Sequence, residues 1–326
     1  MKKQASGRAP VGAASAANEG MWEPIHRRKA NGAEMTQRLS PLKRLPHGAR
    51  PVVVLLLGLA ASSGSFAASR IVSLGGDVTE TIYAIHAQGE LAAVDSTSRW
   101  PEAATKLPDV GYVRQLSAEG VLALRPDLIL ATHDAGPASV MTQLHDAGIR
   151  IETLPASRSA TDIENKIRAI GRLTGHDKEA DALASDVARQ FASLATAVTA
   201  MRSHPRTVFL MSTGQGSPMA AGRETAADRA IALAGGVNVA TGIEGYKAVS
   251  PEALVAMKPD AILLMKESED AVGGINGVLT LPGVADTPAG KARRIYFVEG
   301  QALLGFGPRT PAAASELQRR WATVAP

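Results

Sequence analysis

From Arg70 onward, short apolar runs alternate with longer stretches whose apolar residues recur every three or four positions. RIVSL, LAAV, LILA and IRIETL predict strands, while DVTETIYAIH, SAEGVLAL, PASVMTQLHDAG and SATDIENKIRAIGRLTG predict helices. The rhythm resumes after Arg206 with TVFLMS, TAADRAIALAGG, SPEALVAM, AILLM, RIYFV and a closing helix over PAAASELQRRWATV. Strand–helix alternation of this kind predicts mostly parallel sheets with helices on their faces. Between the halves lies DKEADALASDVARQFASLATAVTAMR, which has neither Gly nor Pro. Its apolar residues, Ala180, Leu183, Val187, Phe191, Leu194, Val198 and Met201, fall on one helical face. They predict one helix of about 37 Å at 1.5 Å per residue, whereas a flexible linker would carry Gly and Ser. The expectation is an α/β fold of two Rossmann-like lobes, residues 68–176 and 204–326, joined by one long α-helix over 177–203. A ligand cleft is expected between the lobes.

The halves share a string. LSAEGVLALRPDLILA at 116–131 returns as VSPEALVAMKPDAILLM at 249–265, without a gap, so that Ser117, Glu119, Pro126 and Asp127 match Ser250, Glu252, Pro259 and Asp260. A tyrosine precedes each copy, Tyr112 in GYVRQLS and Tyr246 in GYKAVS. Each Ser stands where a helix N-cap is expected, and each Glu sits at the second helical position, near the positive end of the helix dipole. Capping and dipole together are worth about 0.5–2 kcal/mol. Capping accounts for the residue types. It does not account for one exposed carboxylate at the matching place in each half, an arrangement suited to docking on a two-fold symmetric partner.

Charge changes the picture at the N-terminus. Residues 1–67 hold 10 Lys/Arg and 3 Asp/Glu, leaving 25 basic and 28 acidic side chains, a net of −3, in the rest of the chain. Such a body lacks the basic face that nucleic acid requires. RPVVVLLLGLAASSGSFAAS follows Lys43, Arg44 and Arg50 and ends on small-x-small at Ser65-Phe66-Ala67, the pattern of a cleaved secretory signal. Residues 1–67 are therefore expected to be a leader and signal, with Met35 a plausible true start, and the mature protein is expected to be exported. The chain has no cysteine, which excludes disulfides, Fe–S clusters and thiolate metal ligation. His86, His133, His145, His176 and His204 show no ligand spacing, against a zinc or manganese site. SLGGDVTE lacks both the G-x-G-x-x-G spacing and a P-loop lysine, against a nucleotide enzyme.

An export signal, two lobes, one spanning helix and a Glu in each lobe together resemble the periplasmic binding proteins of the helical-backbone class. These serve transporters for vitamin B12, iron-siderophores and haem. RIVSLGGDVTETIYAI, DSTSRWP, LPDVGYVRQLSAEG, PMAAGRETAADRAIALAGGVN and LLGFGPRTP narrow the likeness to the haem-binding members, over about residues 70–322. The resemblance implies a non-enzymatic carrier, monomeric when free, that hands haem to an ABC permease dimer and its ATPase. It also implies that Glu119 and Glu252 engage the permease. A ferric siderophore or cobalamin is the alternative ligand.

The family carries its axial tyrosine in the G-Y-x-R stretch, which makes Tyr112 the expected iron ligand and Arg114 its partner. A phenolate is a hard anionic donor suited to ferric iron, and a nearby cation favours the anionic form of a phenol. Some relatives use a second-lobe histidine near MSTGQGSPMAAG, where this chain has Thr213 and no His. His133, at a strand's C-terminal end, and Tyr246 are further candidates to line the cleft. Trp100, Met211, Met219, Leu304 and Phe306 are candidate walls, and Arg99, Arg223 and Arg309 candidate partners for the propionates.

Overall fold

The computed structural model describes residues 70–212 and 217–322. The expected leader, its cleavage site and Thr213 lie outside the described residues. The first lobe carries β1 (Ile71–Leu74), β2 (Leu91–Val94), β3 (Leu128–Thr132) and β4 (Arg150–Leu154). They form one sheet in the order β2-β1-β3-β4, all parallel. β1 is buried at all four positions, as the continuous apolar run of a sheet covered on both faces requires. The second lobe carries β5 (Arg206–Met211), β6 (Met219–Ala221), β7 (Val237–Asn238), β8 (Tyr246–Ala248), β9 (Ala261–Met265) and β10 (Ile295–Val298). Its sheet runs β10-β9-β5-β6-β8, with β7 on β5. β5, β7, β9 and β10 are parallel, while β6 and β8 add an antiparallel ribbon. That ribbon was absent from the sequence reading, because two strands of three residues give too short a pattern to register.

The long helix runs Asp177–Thr199, about 35 Å at 1.5 Å per residue. It follows the helix Ala160–Thr174 through a left-handed turn at Gly175 (φ 72°). The two pack so closely that a Cβ at Gly171 would lie 2.3 Å from the Ala180 Cβ. On its other flank it meets the final helix, Thr310–Ala322, whose Trp321 is fully buried. Ala180, Ala184, Val187, Phe191 and Leu194 thereby join one core that continues from Ile71 and Ile167 of the first lobe to Phe209 and Trp321 of the second. The helix is stiff because both lobes pack on it along its length.

The repeated string has a structural use on top of its surface Glu. In each copy a residue in the left-handed region follows the helix, Arg125 (φ 47°) and Lys258 (φ 47°), just before the Pro-Asp. Such a conformation costs a non-glycine residue roughly 1–2 kcal/mol, and an arginine at the start of the neighbouring strand offsets it. Arg70 donates to the carbonyls of Leu124 (2.6 Å) and Arg125 (3.2 Å). Arg206 donates likewise to those of Met257 (2.8 Å) and Lys258 (3.4 Å). The backbone N–H of Asp127 donates to Arg70, and that of Asp260 to Arg206. The duplication thus extends to an arginine more than forty residues upstream of each string.

A second set of contacts fixes the lobes where they meet. Glu80, on the first-lobe helix Gly76–Ala84, is 3 % exposed and accepts from the Arg309 backbone N–H and from its Nε, both at 2.9 Å. Burial pushes the Glu80 carboxyl above the ordinary range, and Arg309 works against that rise. Arg309 also donates to Glu299 Oε1 (2.7 Å) and lies 4.3 Å from the ring centroid of Trp100. Gln301 donates to the Gly76 carbonyl (2.9 Å) and accepts from the Arg99 N–H (3.0 Å). Charged, aromatic and amide groups together hold the lobes at a set spacing beside the long helix.

Candidate functional site

Above that junction the lobes enclose a cleft of about 840 Å³, within the size range of small-molecule and cofactor sites. The first lobe contributes the ends of its strands: Gly75–Asp77 after β1, Ser96, Thr97 and Arg99 after β2, His133 and Asp134 after β3, and Ala156–Arg158 after β4. Ligand sites in open α/β sheets gather at these carboxyl ends. The second lobe contributes Glu224–Ala226, Arg229, Gly245, Tyr246, Met265, Glu267 and the 300–306 segment.

Tyr112 and Arg114 both line this cleft. Gly111 (φ 90°) turns the chain just before the tyrosine, which is 39 % exposed. The Arg114 Nη1 donates to the Tyr112 hydroxyl in a short hydrogen bond, with the guanidinium 5.7 Å from the ring centroid. Arg114 is itself held by Asp134, whose Oδ2 accepts from Nε at 2.8 Å and from Nη2. Desolvation disfavours the Arg114 charge, but the bonds and charge of Asp134, with Tyr112, outweigh it and raise the guanidinium above its usual value. The result is a fixed cation beside an accessible phenol oxygen.

Tyr246 faces the same cleft from β8, following Gly245 (φ 71°), and is also 39 % exposed. Burial pushes its phenol up, against the Arg114 charge and hydrogen bonds with the Ala227 backbone and the Thr225 hydroxyl. His133 lines the cleft with its side chain half exposed, 3.9 Å from Asp134 Oδ1. Trp100 and Arg309, expected at the ligand, belong instead to the junction beneath the cleft: Arg309 is drawn away by Glu80 and Glu299, and Trp100 covers it. Of the other wall candidates Leu304 and Phe306 line the cleft, whereas Met211 and Met219 do not, and of the cations Arg99 lines it and Arg223 does not. Glu119 and Glu252 are exposed on their helices, Ala118–Leu122 and Pro251–Met257, outside the cleft.

Several cleft residues escaped the sequence reading. Asp134 stands beside His133 in ATHDAGP, and an acid at a strand's carboxyl end opposite G-Y-x-R was the available signal. Lys166 and Asp77 form a buried ion pair at 2.5 Å in the cleft wall, 89 residues apart and invisible to local pattern. Among the described residues no group of three or more His, Asp or Glu is arranged to hold a metal ion.

Two lobes with mostly parallel sheets on one long helix, with a lined cleft between them, define a substrate-binding protein of the helical-backbone class. The chain belongs to the periplasmic binding protein family, whose model matches residues 71–302. The periplasmic heme-binding protein RhuT from Roseiflexus sp. RS-1, in apo form, is 38 % identical with a TM-score of 0.76, covering 79 % of this chain and 99 % of that one. BhuT, a periplasmic heme-binding protein in complex with two hemes, is 36 % identical with a TM-score of 0.74, covering 78 % and 98 %. The vitamin B12-binding protein of Yersinia pestis (strain Pestoides F) is 30 % identical over 68 % of this chain and 76 % of its own length. Among the described residues no helix is long and apolar enough to cross a membrane.

Proposed function

We infer that this protein captures haem between its lobes and delivers it to an ABC permease. The observation that carries the reading is the triad of Tyr112, Arg114 and Asp134, an exposed phenol whose oxygen receives a hydrogen bond from an arginine locked by a carboxylate. A phenolate suits ferric iron, and Arg114 supplies a charged donor to that oxygen. Tyr112 is the iron ligand, Arg114 stabilises it and Asp134 keeps Arg114 in position. The likeness to two heme-binding proteins at 38 % and 36 % identity supports the ligand class. Leu304 and Phe306 supply apolar cover, and Tyr246 and His133 face the ligand. Trp100 and Arg309 act on it only by setting the lobe spacing.

Transport completes the reading. Residues 1–67 direct export and are removed, leaving lobes over 68–176 and 204–326 on the 177–203 backbone. Glu119 and Glu252, one exposed carboxylate per lobe on a rigid frame, dock on the two-fold permease. The vitamin B12-binding relatives favour cobalamin as the rival ligand. Titration of the purified protein with hemin and with cyanocobalamin separates the two. Hemin is expected to produce a saturable Soret band and a phenolate charge-transfer band. Saturable binding of cobalamin with an unchanged hemin spectrum would overturn the assignment.

A further inference from the structure

Five Arg and Lys side chains line the cleft, and their partners divide them. Arg114 is held by Asp134, Lys166 by Asp77 at 2.5 Å and Arg229 by Glu224 at 3.2 Å. Arg99 and Arg158 keep guanidinium groups with no ion pair or hydrogen bond among the described residues. They occupy opposite edges of the first-lobe sheet, Arg99 after β2 and Arg158 after β4. Three strand spacings separate those edges, roughly 14 Å.

What singles out the β4 edge is the residue before Arg158. Ser157 lines the cleft, and its hydroxyl, one χ1 rotation from the opening, is shut off from solvent with no hydrogen-bond partner. Buried hydroxyls are ordinarily satisfied, so an unpaired one in a ligand cleft marks a position that a ligand atom fills. Asp162, the carboxylate of the same turn, accepts from the Arg158 backbone N–H at 2.9 Å. No comparable hydroxyl flanks Arg99, whose backbone N–H is tied to Gln301.

Resting on the haem reading above, we propose that Ser157 and Arg158 together anchor the carboxylate edge of the ligand. Ser157 donates to one carboxylate oxygen while Arg158 supplies charge and a second donor. Tyr112 then sets where the iron sits, and the Ser157–Arg158 corner sets how the ring is turned about it.

Hemin and hemin dimethyl ester, whose carboxylates are masked, test this in the unaltered protein, Ser157→Ala, Arg158→Ala and the double variant. The expectation for hemin is an affinity loss of about tenfold for Arg158→Ala, as for a hydrogen bond to a charged group, and about threefold for Ser157→Ala. The ester is expected to bind all four proteins alike, and the phenolate band is expected to persist, which shows that the iron site remains built. Equal losses for hemin and ester, or an unchanged hemin affinity in Arg158→Ala, would overturn the anchor alone. Failure of the unaltered protein to bind either compound would overturn the haem reading and the anchor with it.

Discussion

Tyr112 and Tyr246 occupy matching places in the two lobes, yet their surroundings differ. Each follows a glycine of positive φ, each is 39 % exposed and each faces the same cleft. Around Tyr112 stand Arg114 and, twenty residues further on, Asp134. Two residues beyond Tyr246 the chain has Ala248, and that phenol is pushed up by burial. Duplication placed two phenols in one cleft. Arg114 donates to the first, whereas the second meets the Thr225 hydroxyl and the Ala227 backbone.

The sharpest way to break the comparison is to remove each hydroxyl in turn. Tyr112→Phe is expected to weaken hemin binding by more than about a hundredfold, beyond the range for loss of a group that merely supports a ligand. Tyr246→Phe is expected to cost less than about tenfold. Equal losses in parallel titrations would erase the distinction between the lobes. Asp134→Asn tests the support directly, since it weakens the bonds that hold Arg114. About a tenfold loss of hemin affinity is expected, with the charge-transfer band shifted rather than lost.

The two carboxylates proposed to dock, Glu119 and Glu252, are expected to behave alike where the tyrosines do not. Glu119→Ala and Glu252→Ala should each lower haem uptake in cells by about tenfold, as for a lost charged contact at an interface, with hemin affinity of the purified protein unchanged. A drop for one alone would argue against a symmetric partner.

The repeated helices differ in their caps, although the string foretold the same cap in both. Ser250 accepts from the Ala253 N–H at 3.2 Å, with Pro251 in the first helical position, while Ser117 makes no such side-chain bond. Ser250→Ala is expected to cost about 1 kcal/mol in denaturant unfolding and Ser117→Ala close to none.

The smallest effect is a pH dependence. Hydrogen bonds from its own N–H and from the Ser250 hydroxyl hold the Glu252 carboxyl below the ordinary carboxylate range in the folded protein. A depressed folded value means that its contribution to stability is present above the unfolded value and is lost as pH falls through the folded one. NMR titration should find Glu252 ionising below an unfolded-chain glutamate, and Ser250→Ala should move it back up.

These contrasts also mark what the sequence could disclose. Periodicity revealed the lobes and the long helix because burial on one face is written in every third or fourth residue from Ala180 to Leu194. The string at 116–131 and 249–265 was legible because it is contiguous, and GYVR because its phenol and cation stand two residues apart. Partners far apart in the chain were not. Glu80 and Arg309 are separated by 229 residues, so Arg309 read as a free loop cation when it is the bolt between the lobes. Arg70 and Arg206 looked like ordinary strand starts, and their carbonyl partners lie more than fifty residues away. Ser157 carried no pattern at all, since what marks it is the absence of a partner in three dimensions.

Resonance Raman spectroscopy of the hemin-loaded protein most directly tests whether the first-lobe phenol grips the iron. The account predicts iron-bound phenolate modes that survive Tyr246→Phe and vanish in Tyr112→Phe. Phenolate modes that survive Tyr112→Phe, or none in the unaltered protein, would contradict it.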